Sequence, residues 1–290
     1  MIGTGNLTSD LMKGKICMIT GANSGVGKAT ATGLAKMGAT IVMVCRNQER
    51  GEQALDEIKR DSNNELVYLM LADLSSQKAI HQLVKDFKEK YKSLHVLINN
   101  AGVNLSRVKL TEDGIETTLA VNYLAPFLLC NLLFDTLKES QPARIVNVAS
   151  SVQAKSIDFD NLNGEKHYSQ MKAYSISKLA LILFTYEFAR RFDGNEVSIN
   201  SLHPGYVRTN MIRNFRKFVK YFFPFISLFV IGPKRGAKTS IYCASSPDVE
   251  GVSGKYYKKR KEAKSGKISY NEDLAKQLWE ISTKLTNLKS

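Results

Sequence analysis

The chain holds 290 residues and is strongly basic, with 41 Lys and Arg against 27 Asp and Glu for a net charge of +14. That length suits one large α/β domain or two small ones, and 43% hydrophobic residues supply a core that a disordered chain would lack. No stretch reaches the ~20 apolar residues of a spanning helix, which excludes a multi-span membrane protein, and glycines without a period of three exclude collagen.

Lys15 to Thr20 is a near-continuous apolar run that predicts a buried parallel strand. A Gly-rich turn follows, then a helix to about Met37 that Gly38 ends. Thr40 to Cys45 predicts a second buried strand and Gln48 to Arg60 a polar helix. Leu66 to Leu71 is the third strand, and Ser76 to Tyr91 the third helix, with Ser75 in the N-cap place. His95 to Ile98 is the fourth strand, Glu112 to Lys138 reads as mostly helical, and Arg144 to Val148 is the fifth strand. Tyr174 to Arg191 is a long helix, Val197 to Leu202 the sixth strand and Gly254 to Tyr257 a seventh. Strands and helices alternate, which is the pattern of βαβ units and a parallel sheet with helices on both faces. With no linker, repeat or low-complexity tract, residues 1–290 are expected to form a single domain.

The turn after the first strand reads Thr20-Gly21-Ala22-Asn23-Ser24-Gly25-Val26-Gly27. Glycines let the backbone turn tightly and approach a phosphate, and the helix that follows offers its free N–H groups and positive dipole end to a pyrophosphate. Four further motifs follow in order: Asp73-Leu74 after the third strand, Asn99-Asn100-Ala101-Gly102 after the fourth, Tyr174-Ser-Ile-Ser-Lys178, and Pro204-Gly205 after the sixth. Together these resemble the short-chain dehydrogenase/reductase family over roughly residues 14–260. The resemblance implies a single-domain Rossmann fold, a doubly wound parallel sheet of about seven strands. It also implies a dinucleotide held by Gly21, Asn23, Ser24, Gly25, Val26 and Gly27 at the pyrophosphate and by Asp73 and Leu74 at the adenine. Pro204 and Gly205 would stand near the nicotinamide, and Asn100, Ala101, Gly102, Val207 and Thr209 are further expected cofactor-binding residues.

The end of the second strand, Cys45-Arg46-Asn47, chooses between the two nicotinamide dinucleotides. An NAD enzyme of this fold places a carboxylate there for the ribose hydroxyls. Here no carboxylate stands, and Arg46 can bind a 2′-phosphate with paired charge-assisted hydrogen bonds. The cofactor is therefore expected to be NADP(H); the competing role for Arg46 is to cap a surface turn.

Tyr174 and Lys178 stand four residues apart on a helix and so share a face. A free Tyr has a pKa of about 10, and a neighbouring ammonium and an oxidised nicotinamide favour the phenolate; lowering the pKa by about 3 units needs about 4 kcal/mol. The resemblance makes Tyr174 the general acid, with Lys178 tuning it and holding the nicotinamide ribose. Of the pair Ser150-Ser151 after the fifth strand, Ser151 is expected to bind the substrate carbonyl oxygen, with Ser150 as the fallback. Asn122 matches the family residue that holds a water linking the lysine to solvent, its alternative being a buried structural Asn. The implied reaction is hydride transfer between NADP(H) and a carbonyl or alcohol, without a metal.

Finer detail, Val44-Cys-Arg46, Asn161-Leu162, Ala173 to Leu179, His203-Pro-Gly205 and Ser253-Gly-Lys-Tyr256, resembles the retinol-dehydrogenase-like branch, which implies a small lipophilic substrate such as retinal or another aldehyde or ketone. Protochlorophyllide reductase shares much of this pattern, so reduction of a carbon–carbon double bond is the second enzyme reading, and a non-catalytic NADP-binding sensor the third. Residues 206–238 are expected to form a substrate lid and 258–290 a basic extension without an assigned function. Within the lid, residues 221–231 form an apolar run flanked by cations that could cover a greasy substrate, lie in a membrane interface through residues 211–238, or make a buried or dimer contact.

Residues 213–267 carry 14 Lys and Arg against 3 Asp and Glu, most of the surplus charge. Without a nucleic-acid-binding motif beside it, this patch reads as solvated surface or an attraction to anionic lipid rather than a nucleic-acid site. Cysteines 17, 45, 130 and 243 and histidines 81, 95, 167 and 203 show neither disulfide nor metal spacing. The first ten residues carry no signal-peptide apolar region, so a cytosolic protein is expected, peripheral contact with a membrane surface being open. A homodimer through the long central helices, the arrangement of many relatives, is likewise open.

Overall fold

In a computed structural model the structure describes residues 10–193, 197–207 and 231–288. Eight strands form one sheet in the order β3-β2-β1-β4-β5-β6-β7-β8. They are β1 (Ile16–Thr20), β2 (Thr40–Cys45), β3 (Val67–Leu71), β4 (Val96–Asn99), β5 (Ala143–Val148), β6 (Val197–His203), β7 (Lys255–Lys258) and β8 (Lys261–Glu262). The first seven run parallel, as the alternation of elements predicts, and the two-residue β8 adds an antiparallel edge to β7. β4 and β5 are buried along their whole length, and all their residues but Asn99, Arg144 and Asn147 are apolar.

The helices between them are α1 (Gly25–Ala35), α2 (Gln48–Ser62) and α3 (Gln77–Lys90), then α4 (Thr117–Leu119), α5 (Ala125–Leu132) and α6 (Phe134–Lys138), followed by α7 (Gln170–Arg191), α8 (Pro233–Ser245) and α9 (Glu272–Leu285). Asn47 caps α2 by accepting the Arg50 N–H at 2.9 Å. The cap of α3 is Ser76 rather than Ser75: both the N–H and the hydroxyl of Ser75 donate to Asp73 Oδ1, leaving Ser76 Oγ to accept from Ala79 N–H. The expected helix from Glu112 begins only at Thr117. Gly114 turns the chain at φ 73°, and the Glu116 carboxylate then caps the helix by accepting the Leu119 N–H at 2.8 Å. Between α4 and α5 the chain winds one π-helical turn, Ala120–Leu124.

Strand order reverses between β1 and β4, so a crevice opens at the C-terminal ends of those two strands. Doubly wound sheets bind ligands at that switch point.

The C-terminal part is more than a basic extension. Asn271 caps α9, which lays Leu278 and Ala275 into the main core. Trp279 meets Phe127 and Phe184 at ring distances of 5.1 and 5.8 Å, and the Ser282 hydroxyl hydrogen-bonds the Tyr123 hydroxyl at 2.6 Å. The core therefore runs past the expected limit at about residue 260. Within the expected lid, Ile231 bridges to Val207 and α8 starts at Pro233. Residues 208–230, which hold Thr209 and most of that expected lid, lie outside the described residues.

Candidate active site

The Gly-rich turn leaves β1 with Gly21 at φ 66° and reaches α1 through Gly25 at φ 58°, conformations that L side chains rarely adopt. A Cβ on Gly27 would stand 2.4 Å from both Gly21 O and Asn100 Nδ2, so the turn can close only over a bare backbone there. Asn100 is the clamp. Its Nδ2 donates to Thr20 O at 2.8 Å and Gly21 O at 3.3 Å, while its N–H and that of Ala101 donate to the Thr20 hydroxyl. Asn23 and Ser24 stand at the mouth of the turn, and the Ser24 side chain makes no cap hydrogen bond to α1. The first-turn N–H groups of α1 thus face the crevice, with no acidic residue among them. Val26 packs with Val207 and Ala237, which ties the Pro204–Gly205 turn, with Gly205 at φ 93°, to the start of α1. Gly102 follows Ala101 directly in the chain after β4. These residues fit a dinucleotide: the backbone approach is open where a Cβ would block it, and the helix end is free.

At the rim of the crevice β2 ends in the buried Cys45, whose thiol burial pushes up to about 11 against the Asn23 and Ala22 N–H groups that face it. Arg46 follows with its side chain 72% exposed, 3.6 Å from the Asp73 carboxylate. Burial would raise the Asp73 carboxyl, but the Ser75 N–H and hydroxyl and the Arg46 charge hold it below its ordinary value. Leu74 is buried beside it.

The chemical side chains gather at the ends of β5 and β6. Lys178 is buried on α7, its Nζ donating to Val148 O at 2.9 Å and standing 5.8 Å from the Tyr174 ring centre. Burial pushes Lys178 down to about 8 and holds Tyr174 above its ordinary value, the Ser150 hydroxyl opposing the latter. Burial thus outweighs the Ser150 hydrogen bond at Tyr174, and the expected phenolate-favouring influence further requires the oxidised nicotinamide. Asn122 lies in the π turn, fully buried. Its Oδ1 accepts the Val103 N–H at 2.7 Å and its Nδ2 donates to Val103 O and Ser177 Oγ, so it splints the chain after β4 to α7. Pro126 has no N–H to give the Asn122 carbonyl four residues earlier.

Ser150 and Ser151 part company. The buried Ser150 is the serine beside the Tyr174 hydroxyl. Ser151 turns the other way, its N–H donating to His203 Nδ1 at 3.2 Å and its hydroxyl 3.4 Å from His203 Nε2 and from the Tyr206 hydroxyl. The choice of Ser151 from sequence is thus corrected: the first residue of the pair, not the second, faces the tyrosine. His203 is pushed down to about 4 by burial and by Lys258, so it is neutral and free to accept.

Comparison with known proteins agrees with this geometry. Residues 15–220 match the short chain dehydrogenase family. The chain belongs to it. Human retinol dehydrogenase 11 is 42% identical over 290 residues, spanning 99% of this chain and 91% of that protein. Human retinol dehydrogenase 14 is 43% identical, spanning 96% and 88%. Among solved structures, an uncharacterized Mycobacterium paratuberculosis protein superposes with a TM-score of 0.77 at 30% identity, covering 95% of this chain and 94% of that one. This short-chain dehydrogenase is accordingly retinol-dehydrogenase-like, an oxidoreductase acting on alcohol or carbonyl groups with a nicotinamide dinucleotide. Among the described residues, no helix is long and apolar enough to cross a membrane.

Sequence reasoning did not single out Gln153, Tyr206 or Tyr256 as site residues, yet all three stand around the serine pair. Tyr256 closes the quoted Ser253-Gly-Lys-Tyr256 motif, which was the available signal.

Proposed function

We propose that this dehydrogenase uses NADP(H) to interconvert a carbonyl and an alcohol on a small lipophilic substrate, a retinal-like aldehyde or another aldehyde or ketone. The observation that carries the reading is the convergence of Tyr174, Ser150 and Lys178 at the ends of β5 and β6, beside the glycine cradle. When bound, the reduced nicotinamide supplies the hydride. Tyr174 delivers the proton to the carbonyl oxygen. The Ser150 hydroxyl donates to the same oxygen as charge develops on it, and Lys178 sits beneath the tyrosine ring as the counter-charge. Tyr174 is held above its ordinary pKa, so it is protonated at neutral pH, the state that reduction needs.

Cys45 and the exposed Arg46 at the end of β2 support NADP(H) over NAD(H). The exposed Tyr206, whose hydroxyl stands 3.4 Å from the Ser151 hydroxyl, and the exposed apolar Val108, Leu110 and Met171 support a lipophilic substrate. The names of the relatives point the same way. Within this reading the protein is cytosolic, and vesicle flotation with and without anionic lipid tests whether it also docks peripherally. Neither nucleic acid nor a metal belongs to it.

The decisive experiment measures NADPH and NADH consumption with retinal and a panel of aldehydes and ketones. NADPH-selective turnover is expected, falling by about 10³-fold in Tyr174→Phe. Tight NADPH binding without turnover of any carbonyl would overturn the reading in favour of double-bond reduction.

A further inference from the structure

Two side chains from distant parts of the chain converge on the main-chain carbonyl of Ser150. The Tyr256 hydroxyl, carried by β7, donates to it at 3.1 Å. The Gln153 amide donates to it at 3.2 Å. Gln153 is itself fixed from its other end, where its Oε1 accepts the Gly266 N–H at 2.9 Å. Gly266 follows Ser265, whose hydroxyl bonds the Tyr186 hydroxyl at 2.8 Å and the Ser269 hydroxyl at 2.6 Å. Tyr186 belongs to α7, the helix that carries Tyr174 and Lys178, and stacks on Tyr270 at 5.4 Å. A closed polar circuit therefore runs from α7 through the segment 263–270 to Gln153, Ser150 and back to Tyr174. Burial keeps the Tyr256 phenol above its ordinary value, so it remains a donor.

We infer that Tyr256 and Gln153 are positioning residues for the reduction: they fix the Ser150 peptide so that its hydroxyl faces Tyr174, and the segment 263–270 sets Gln153 from behind. The inference rests on the reading above, in which Ser150 and Tyr174 meet one carbonyl oxygen. A side chain that merely filled the core would act through its ring. A positioning residue acts through its hydrogen bond, and only by way of Ser150.

Tyr256→Phe separates the two, because it keeps the buried ring and removes the donor. Its kcat is expected to fall about tenfold, from misplacement of the serine, with KM for NADPH within about twofold of wild type. In a Ser150→Ala background the same substitution is expected to cost nothing more, whereas an independent structural role would multiply the two losses. Gly266→Ala perturbs the circuit from its far end. The residue has φ −62°, where Ala is at ease, and its new Cβ would stand 2.8 Å from Gln153 Oε1. A kcat loss of about threefold is expected from it.

A second readout needs no turnover. The Ser151 and Val152 N–H groups are bonded to His203 Nδ1 and Ser150 Oγ. Their hydrogen exchange is expected to quicken about tenfold in Tyr256→Phe. Multiplicative losses, or unchanged exchange, would overturn the positioning role. If wild type turned over no carbonyl at all, the functional reading would fall while the exchange rates still decided whether Tyr256 fixes this turn.

Discussion

From β1 to β4 the wall of the crevice is main chain; from β5 to β7 it is side chain. In the first region Gly21, Gly25 and Gly27 shape the cradle by lacking a Cβ, and the one working amide, Asn100, spends its donors on the carbonyls of Thr20 and Gly21. In the second, Lys178 reaches Val148 O, Tyr256 reaches Ser150 O across 106 residues of sequence, and Gln153 meets Gly266 across 113. A backbone conformation is dictated by the few residues that adopt it. The direction of a side chain at a strand end is dictated by whatever packs there, from anywhere in the chain. The first kind of site survives as a local motif, while the second is assembled only by folding.

The harshest way to break the substrate region from outside the chemistry is Leu278→Ala. Leu278 is almost fully buried on α9, against the α7 face opposite the catalytic residues. Truncation of such a leucine costs about 3 kcal/mol, read as a lower midpoint in denaturant melts at unchanged slope. An unchanged midpoint would mean that α9 rests on the domain without stabilising it.

The serine pair sharpens the comparison next. Ser150→Ala is expected to lower kcat by about 10²-fold, as loss of a donor to a developing oxyanion does, while Ser151→Ala stays within about threefold of wild type. Equal losses would return Ser151 to the site.

These two residues also show where the sequence stopped being legible. The seven parallel strands and their order of glycine, acidic and Asn-Asn motifs could be read because burial on both faces makes the strands mostly apolar and the turns need glycine. Tyr174 and Lys178 could be read because helical spacing places them on one face and the other motifs of the family stand in order around them, the spacing alone being common by chance. Ser150 and Ser151 are adjacent and chemically identical, so only their surroundings distinguish them: His203 takes Ser151, and Tyr174 takes Ser150. The C-terminal helix left a signal that charge obscured. Asn271 ahead of Glu272 and Asp273 is a helix start, and Leu274, Leu278, Ile281 and Leu285 recur at helical spacing behind it.

A pH series tests the electrostatic side of the substrate region. Burial pushes Lys178 down to about 8 from an ordinary 10.5. Below about 8 the folded protein therefore bears the cost of a buried ammonium. Between about 8 and 10.5 the unfolded chain binds the extra proton, so stability from this group rises with pH across that window. The displacement corresponds to about 3 kcal/mol at most, already net of the bond to Val148 O. Lys178→Met is thus expected to be inactive yet about 2 kcal/mol more stable than wild type at pH 7, with the gain fading toward pH 10.5. A gain that stayed flat with pH would assign it to packing instead.

The smallest expected effect tests the exception to the comparison. Arg46 stands in the backbone-built region, yet the choice of dinucleotide is assigned to its side chain. A charge-assisted bond to a phosphate is worth about 1.5–3 kcal/mol. The guanidinium is 72% exposed and shares its charge with Asp73 at 3.6 Å, so the lower end applies. Arg46→Ala should therefore raise KM for NADPH about tenfold and leave KM for NADH alone. Asp73→Asn, which frees the guanidinium from its ion pair, should move KM for NADPH the other way by a smaller factor. If instead both dinucleotides weakened together in Arg46→Ala, the arginine would be holding the rim of the cradle rather than reading the 2′-phosphate. The cofactor region would then be main chain throughout, and the contrast with the substrate region would be complete.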